Sequence, residues 1–215
     1  MSGISPRLVK GGIVVVDASG GSVLRVIPLQ YNADSLARSF QLQSFGTEGG
    51  DRSEVFRIKA PAVETIRVEA EMDATDRLQA ADATTVEVGL HPQIAVLEAL
   101  VSPTSGQLQA NDRLARSGTL EIVPMQAPLT LFVWGRSRVL PVRITELSVT
   151  EEAFDPLLNP IRAKLTMALR VLSVHDVGFA HRAGGTFMAA LQAREQLAGR
   201  APRADLSQLG IGGLP

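Results

Sequence analysis

There is no cysteine in this sequence, one tryptophan, one tyrosine, and only 4% aromatic residues in all. The first absence excludes a disulfide framework, a thiolate metal site and a cysteine nucleophile, and it fits a reducing compartment. The scarcity of rings leaves too few stacking faces for a platform that tracks single-stranded nucleic acid. Lysine is scarce as well: Lys10, Lys59 and Lys164 stand against eighteen arginines. Arginine suits planar, partly desolvated pairing at interfaces; a GC-rich genome produces the same bias. A net charge of −1 gives no electrostatic reason for non-specific binding to nucleic acid. No run approaches the roughly 18–20 apolar residues of a membrane span. MSGISPRLVKGG holds no apolar run of signal-peptide length before Ile13. The expectation is a protein made in the cytoplasm without a signal peptide.

What remains is a chain of 215 residues with 45% hydrophobic and 20% charged residues, enough to bury a core without staples. IVVV (13–16) reads as a buried strand, followed by the turn residues Asp17 to Gly21. SVLRVIPLQY (22–31) is its partner strand, with Pro28 at an edge or bulge because it donates no ladder bond. SLARSFQLQSF (35–45) is a third strand; Leu36, Phe40 and Leu42 share a face that Arg38 interrupts. FGTEGGDRSE (45–54) is a loop and VFRIKA (55–60) a short strand. Residues 63–73 alternate, with Ile66, Val68, Ala70 and Met72 facing one way and Thr65, Arg67, Glu69 and Glu71 the other.

Residues 90–101 break the β pattern. Pro92 suits a first helical turn, and Ile94, Leu97 and Val101 share a stripe. This helix is expected to pack on the sheet or plug a barrel end. Residues 102–128 read as a long irregular connection with TLEIV (119–123) as a short strand inside it. LTLFVW (129–134) is a strand, and SRVLPVRITELSVT (137–150) a longer one. Its apolar parity switches between Ile144 and Leu147, which places a β-bulge near Thr145 and Glu146. IRAKLTMALRV (161–171) alternates cleanly. TFMAALQAREQLA (186–198) forms a helix that Gly199 ends, and 199–215 is an extended tail.

No catalytic constellation emerges. His175, Asp176 and His181 match no metal-ligand signature, and a solvated turn is the plainer reading. Glu151 and Glu152 are adjacent, so on an extended chain they point to opposite faces and cannot flank one bond; a helix start is expected there. Ser19-Gly20-Gly21 and Gly49-Gly50 lack the Walker lysine and the GxGxxG spacing, and no GxSxG occurs. The residues alone describe a β-rich binding or assembly protein without enzymatic activity, cofactor or metal.

Trp134-Gly135 opens a turn carrying Arg136 and Arg138. Thr150 and Phe154 follow, then Pro160-Ile161-Arg162-Ala163. In this order and spacing the run resembles the tube-adaptor, or tube-initiator, proteins of contractile injection systems, which are phage-tail-like particles. Tyr31-Asn32-Ala33 matches the family's aromatic-Asn-Pro without the proline. The resemblance covers about residues 8–173 and implies a mainly β fold, the tail-tube antiparallel β-barrel or sandwich of two packed sheets, with one internal helix and a C-terminal helix. It implies domain limits of 1–173 (with an insertion at 102–128), a helical extension at 174–198 and a tail at 199–215. Many relatives continue into a lysin-motif domain; here a helix and tail are expected instead, so cell-wall binding does not carry over.

Function by resemblance is structural: a homo-hexameric ring in the baseplate hub, joining the inner tube protein to a VgrG-like spike protein beside other baseplate components. No nucleic acid or membrane-spanning partner is implied. Arg136, Arg138, Leu206, Leu209 and Ile211 are the candidates for lumen or inter-subunit surface. The alternative reading is a small β-barrel that holds a carbohydrate, lipid or peptide.

Overall fold

The computed structural model describes residues 9–17, 22–30, 33–44, 57–118, 127–202 and 205–212. The strands are β1 (Gly12–Val16), β2 (Val23–Pro28), β3 (Leu36–Ser44), β4 (Ile58–Asp73), β5 (Leu129–Val133), β6 (Val139–Phe154) and β7 (Pro160–Val171). They form one seven-stranded sheet in the order β2-β1-β5-β6-β7-β4-β3. Every neighbouring pair is antiparallel. The mainly β expectation holds, with one continuous sheet in place of the two that the resemblance implies.

That sheet is strongly curled. Five strand spacings separate β2 from β4, which in a flat sheet would be roughly 24 Å. Yet the Gln30 side chain, just past β2, bonds the backbone of Asp73 at the end of β4. Its Nε2 donates to the Asp73 carbonyl at 2.7 Å, and its Oε1 accepts from the Asp73 amide at 2.8 Å. The inward side chains of β1, β4, β5, β6 and β7 share one core, with Ile13, Ile66, Phe132, Met167 and Leu169 fully buried.

Helices follow β4 and β7, and members of both groups pack into the core of the curled sheet. α1 (Thr75–Gln79), α2 (Ala83–Val88) and α3 (His91–Glu98) follow β4. Ile94 and Leu97 of α3 are buried, Leu97 in the main core, as the expected stripe requires, but the helix ends at Glu98 and leaves Val101 exposed. Within the irregular connection expected at 102–128, residues Ser105–Arg116 form a helix, α4. Thr104 and Gln107 form a capping box that starts it, with the Thr104 Oγ1 accepting from the Gln107 amide and the Gln107 Oε1 accepting from the Thr104 amide. None of its residues is buried. The expected strand at 119–123, the loop at 45–54 and the Tyr31-Asn32 match lie outside the described residues.

α5 (Val174–Val177) and α6 (Arg182–Ala198) follow β7. Phe187 and Ala190 of α6 are buried in the main core. Burying a phenylalanine fully stabilises by about 1.5–3 kcal/mol. Gly199 ends α6 as expected. The tail is not wholly extended: Leu206–Leu209 makes one turn of 3-10 helix.

Two strand readings need correction. The separate strands expected at 55–60 and 63–73 are replaced by one strand, β4 (Ile58–Asp73), running through Pro61, and Val55 and Phe56 lie outside the described residues. Pairing with β7 begins only at Thr65, so Pro61 sits where no donor is asked for on that side. Glu151 and Glu152 continue β6 as far as Phe154 and start no helix. The register of β6 on β7 slips between Ile144 and Glu146, where the parity switch placed a bulge.

Candidate functional site

The Trp134 hairpin is built for packing. Trp134 stacks on Phe132 with ring centroids 5.7 Å apart and planes 19° from parallel. Gly11 lies so close to the indole that an added Cβ would overlap the ring. The Trp134 amide donates to the Arg138 carbonyl at 2.8 Å, closing the turn, and Gly135 takes the positive φ of 78° that the turn needs. Arg136 is exposed and lines a groove of about 650 Å³ over Gly185 and Ala189 of α6.

The Pro160–Ala163 segment is a docking strip for the helical insert. Pro160 opens β7, where no ladder donor is required. Its carbonyl accepts from the Leu90 amide at 2.9 Å, and the Ile161 carbonyl accepts from the Ala74 amide at 2.8 Å. Arg162 donates to the Asp73 carboxylate at 3.1 and 3.2 Å. Ala163 is fully buried against Ala74, Leu90 and Ile94. Gly89 fits here because a Cβ would lie 2.5 Å from the Pro160 carbonyl oxygen, and its φ is 57°. The spacing between the two motifs is set largely by the length of β6, 16 residues, or about 50 Å.

Thr150 faces solvent opposite Lys164, and Phe154 is half-exposed opposite Pro160. Phe154, Leu157 and Leu158 leave the tip of the β6–β7 hairpin apolar and uncovered. The outward face of β6, β7 and β4 is largely polar. Lys164 bonds Glu152 at 3.0 Å, and that carboxylate raises its pKa.

Both sheet edges are free among the described residues. β2 exposes Val23, Leu24 and Val26; β3 exposes Phe40 and Leu42, beside Ile58 of β4. Such edges invite another strand.

One feature the sequence reading missed is a buried carboxylate. Glu64 is 3% exposed. It accepts from Arg38 Nε at 2.7 Å and from Arg194 Nη2 at 2.5 Å. Arg38 and Arg194 lie 5.0 and 5.9 Å from the Phe40 ring centroid. Burial, then the nearness of Arg38, lowers the pKa of Arg138. The signal was present: Glu64 shares the even parity of the apolar residues 66–72, and Arg38 interrupts an apolar face.

The histidines work locally. His181 Nδ1 accepts from the Ala183 amide at 3.1 Å and so caps α6. Ser173 caps α5 by accepting from the His175 amide, and the Asp176 carboxylate accepts from the Ser173 amide and from Arg170 at 2.5 Å. No described cluster of three or more His, Asp or Glu could hold a metal. No described helix is long and apolar enough to cross a membrane. Leu206, Leu209 and Ile211 are exposed.

Fold and surface define a mainly antiparallel β protein whose unusual features are open edges and uncovered apolar ends. No protein-family model and no curated protein matches the chain. Among solved structures, it is similar to a chain from the tail of an empty GTA particle with C6 symmetry, at 8% identity and TM-score 0.30, over 75% of this chain and 90% of that one. It is also similar to a chain from the virion of a native gene transfer agent particle, at 9% identity and TM-score 0.27, over 75% and 95%. The likeness at these values is slight, and the functional reading rests on the residues themselves.

Proposed function

We propose that this chain is a structural, non-catalytic component of a phage-tail-like contractile injection particle: a ring-forming adaptor in the baseplate hub between inner tube and spike. The observation that carries the reading is the pair of unlike edges, β2 and β3, free among the described residues and each showing apolar side chains. Unlike edges on one subunit make heterologous contacts, which close into rings when the rotation fits. The polar outward face of β6, β7 and β4 suits a wet lumen. The Trp134-Gly135 and Pro160–Ala163 motifs contribute by fixing both ends of β6. Synthesis in the cytoplasm precedes assembly into the particle.

Negative-stain microscopy and mass photometry of the purified chain test this, with and without tube and spike proteins. Six-membered rings are expected. A particle that stays monomeric and binds neither protein ends the reading. Deleting residues 200–215, with Leu206, Leu209 and Ile211, is expected to weaken assembly; unchanged rings would remove the tail from the interface.

One observation favours the second reading, a binding module. A cavity of about 360 Å³ lies between β2, β4 and α3, lined by Val26, Leu29, Met72 and Leu97, with Arg25 and Arg77 beside them. Its size is at the small end for ligand pockets. Displacement of an apolar fluorescent probe by a fatty acid, abolished by Leu97→Trp, would support that reading over the adaptor.

A further inference from the structure

The Glu64 cluster is electrically incomplete. Arg38 and Arg194 both bond the single Glu64 carboxylate, and Arg138 lies within electrostatic reach of all three, so two positive charges stay uncompensated among the described residues. Arg38 and Arg194 spend bonds on Glu64. The Arg138 guanidinium is half-buried and has no hydrogen-bond acceptor among the described residues. A partly desolvated arginine without an acceptor gains most from a carboxylate, which it can hold through two parallel bonds.

A complementary patch lies on the same chain. Asp34, Glu69 and Glu71 surround a cavity of about 490 Å³ whose one cation, Lys164, is already bonded to Glu152. Asp34, Glu69 and Glu71 are exposed. Glu64 points inward and Glu69 and Glu71 point outward, because they differ in parity along β4. The separation along the strand is five to seven residues, or roughly 17–23 Å. The two patches therefore face away from each other. They cannot meet within one chain.

We propose that Arg138, with Arg38 and Arg194, receives the carboxylates of Asp34, Glu69 and Glu71 from a second copy of this chain, head to tail. The inference rests on the ring reading and supplies its polarity: each subunit offers a basic mouth on one side and an acidic patch on the other. Half-exposed Phe40, beside the mouth, shields the pair from water and strengthens it.

Charge exchange in trans tests it. Arg138→Glu and the double variant Glu69→Arg/Glu71→Arg are made separately in the full chain and followed by mass photometry at 150 mM and 1 M salt. Each alone is expected to fall from rings to monomers, with at least a tenfold rise in the dissociation constant. Mixed in equal amounts they are expected to regain rings, since the carboxylate introduced in one variant faces the arginines introduced in the other. Regained rings also show that both variants fold. If either variant alone still forms rings, or if the mixture stays monomeric, the proposal is overturned while wild-type rings keep the ring reading standing. If the wild-type chain forms rings neither alone nor with tube and spike proteins, and binds neither, both fall together.

Discussion

Replacing Glu64 by glutamine keeps its shape and removes its charge. The carboxylate is 3% exposed, so in the folded chain its desolvation is compensated by Arg38 and Arg194. Removing one partner from a buried ion pair costs about 3–5 kcal/mol, because the remaining charge is left uncompensated. Here the stranded arginines are 26% and 36% exposed and can turn part of their guanidinium to water. That screening brings the expected loss to about 2–3 kcal/mol. For a chain of this size it corresponds to a fall in Tm of about 5–10 °C. Urea unfolding followed by far-UV circular dichroism measures it, at matched protein concentration because association shifts the midpoint. Glu64→Ala is expected to lose more, and Arg38→Ala in the Glu64→Gln background less than in the wild type. A Glu64→Gln variant within about 0.5 kcal/mol of wild type, the range of an ordinary surface substitution, would refute the reasoning, since the buried charge would then contribute nothing.

Gly89→Ala meets the Pro160 carbonyl oxygen at 2.5 Å with φ at 57°, and should destabilise by about 3 kcal/mol or more, read as a lower urea midpoint. Trp134→Ala should cost about 2–3 kcal/mol, less than a fully buried ring because Trp134 is half-buried; an unchanged midpoint would mean its stack on Phe132 is idle. Burial works against the Asp176 charge, but hydrogen bonds from Ser173 and Arg170 outweigh it and lower its pKa. Its contribution is thus present above the unfolded value of about 3.9 and lost as pH falls through the lower folded value. Asp176→Asn should destabilise at pH 7 and flatten the acid limb of a Tm-against-pH curve. Leu24→Lys on the free β2 edge should reduce self-association in sedimentation velocity and leave the fold intact.

Strand periodicity was legible wherever one face is buried. Ile161 to Val171 alternate because β7 lies near the centre of the sheet, and the parity switch before Leu147 located the Thr145 bulge. The same parity held a clue at Glu64, but a lone acidic residue becomes meaningful only with its partners, which come from 26 and 130 residues away in sequence. α4 was missed although Thr104 and Gln107 spell a capping box, because Ser105-Gly106 and the lack of any buried residue hide its periodicity. Glu151 and Glu152 suggested a helix start on local grounds; cross-strand pairing with Ala163 and Arg162 decided otherwise. The candidate surface was only half legible. Exposure of Val26, Phe40 or Leu158 depends on which strands end the sheet, and single-chain periodicity does not carry that information.

Gln30 closes the curl with one side-chain amide where another fold would spend a strand. Had β2 joined β3 through a full ladder, the barrel would be sealed and both edges consumed. A single amide clasp holds the curvature and leaves the subunit bivalent, with two different ends to offer. In polymer terms it is a monomer that can lengthen a chain or close a cycle. On the proposed ring reading, the angle that Gln30 sets between those ends is what would govern how many copies complete the circle.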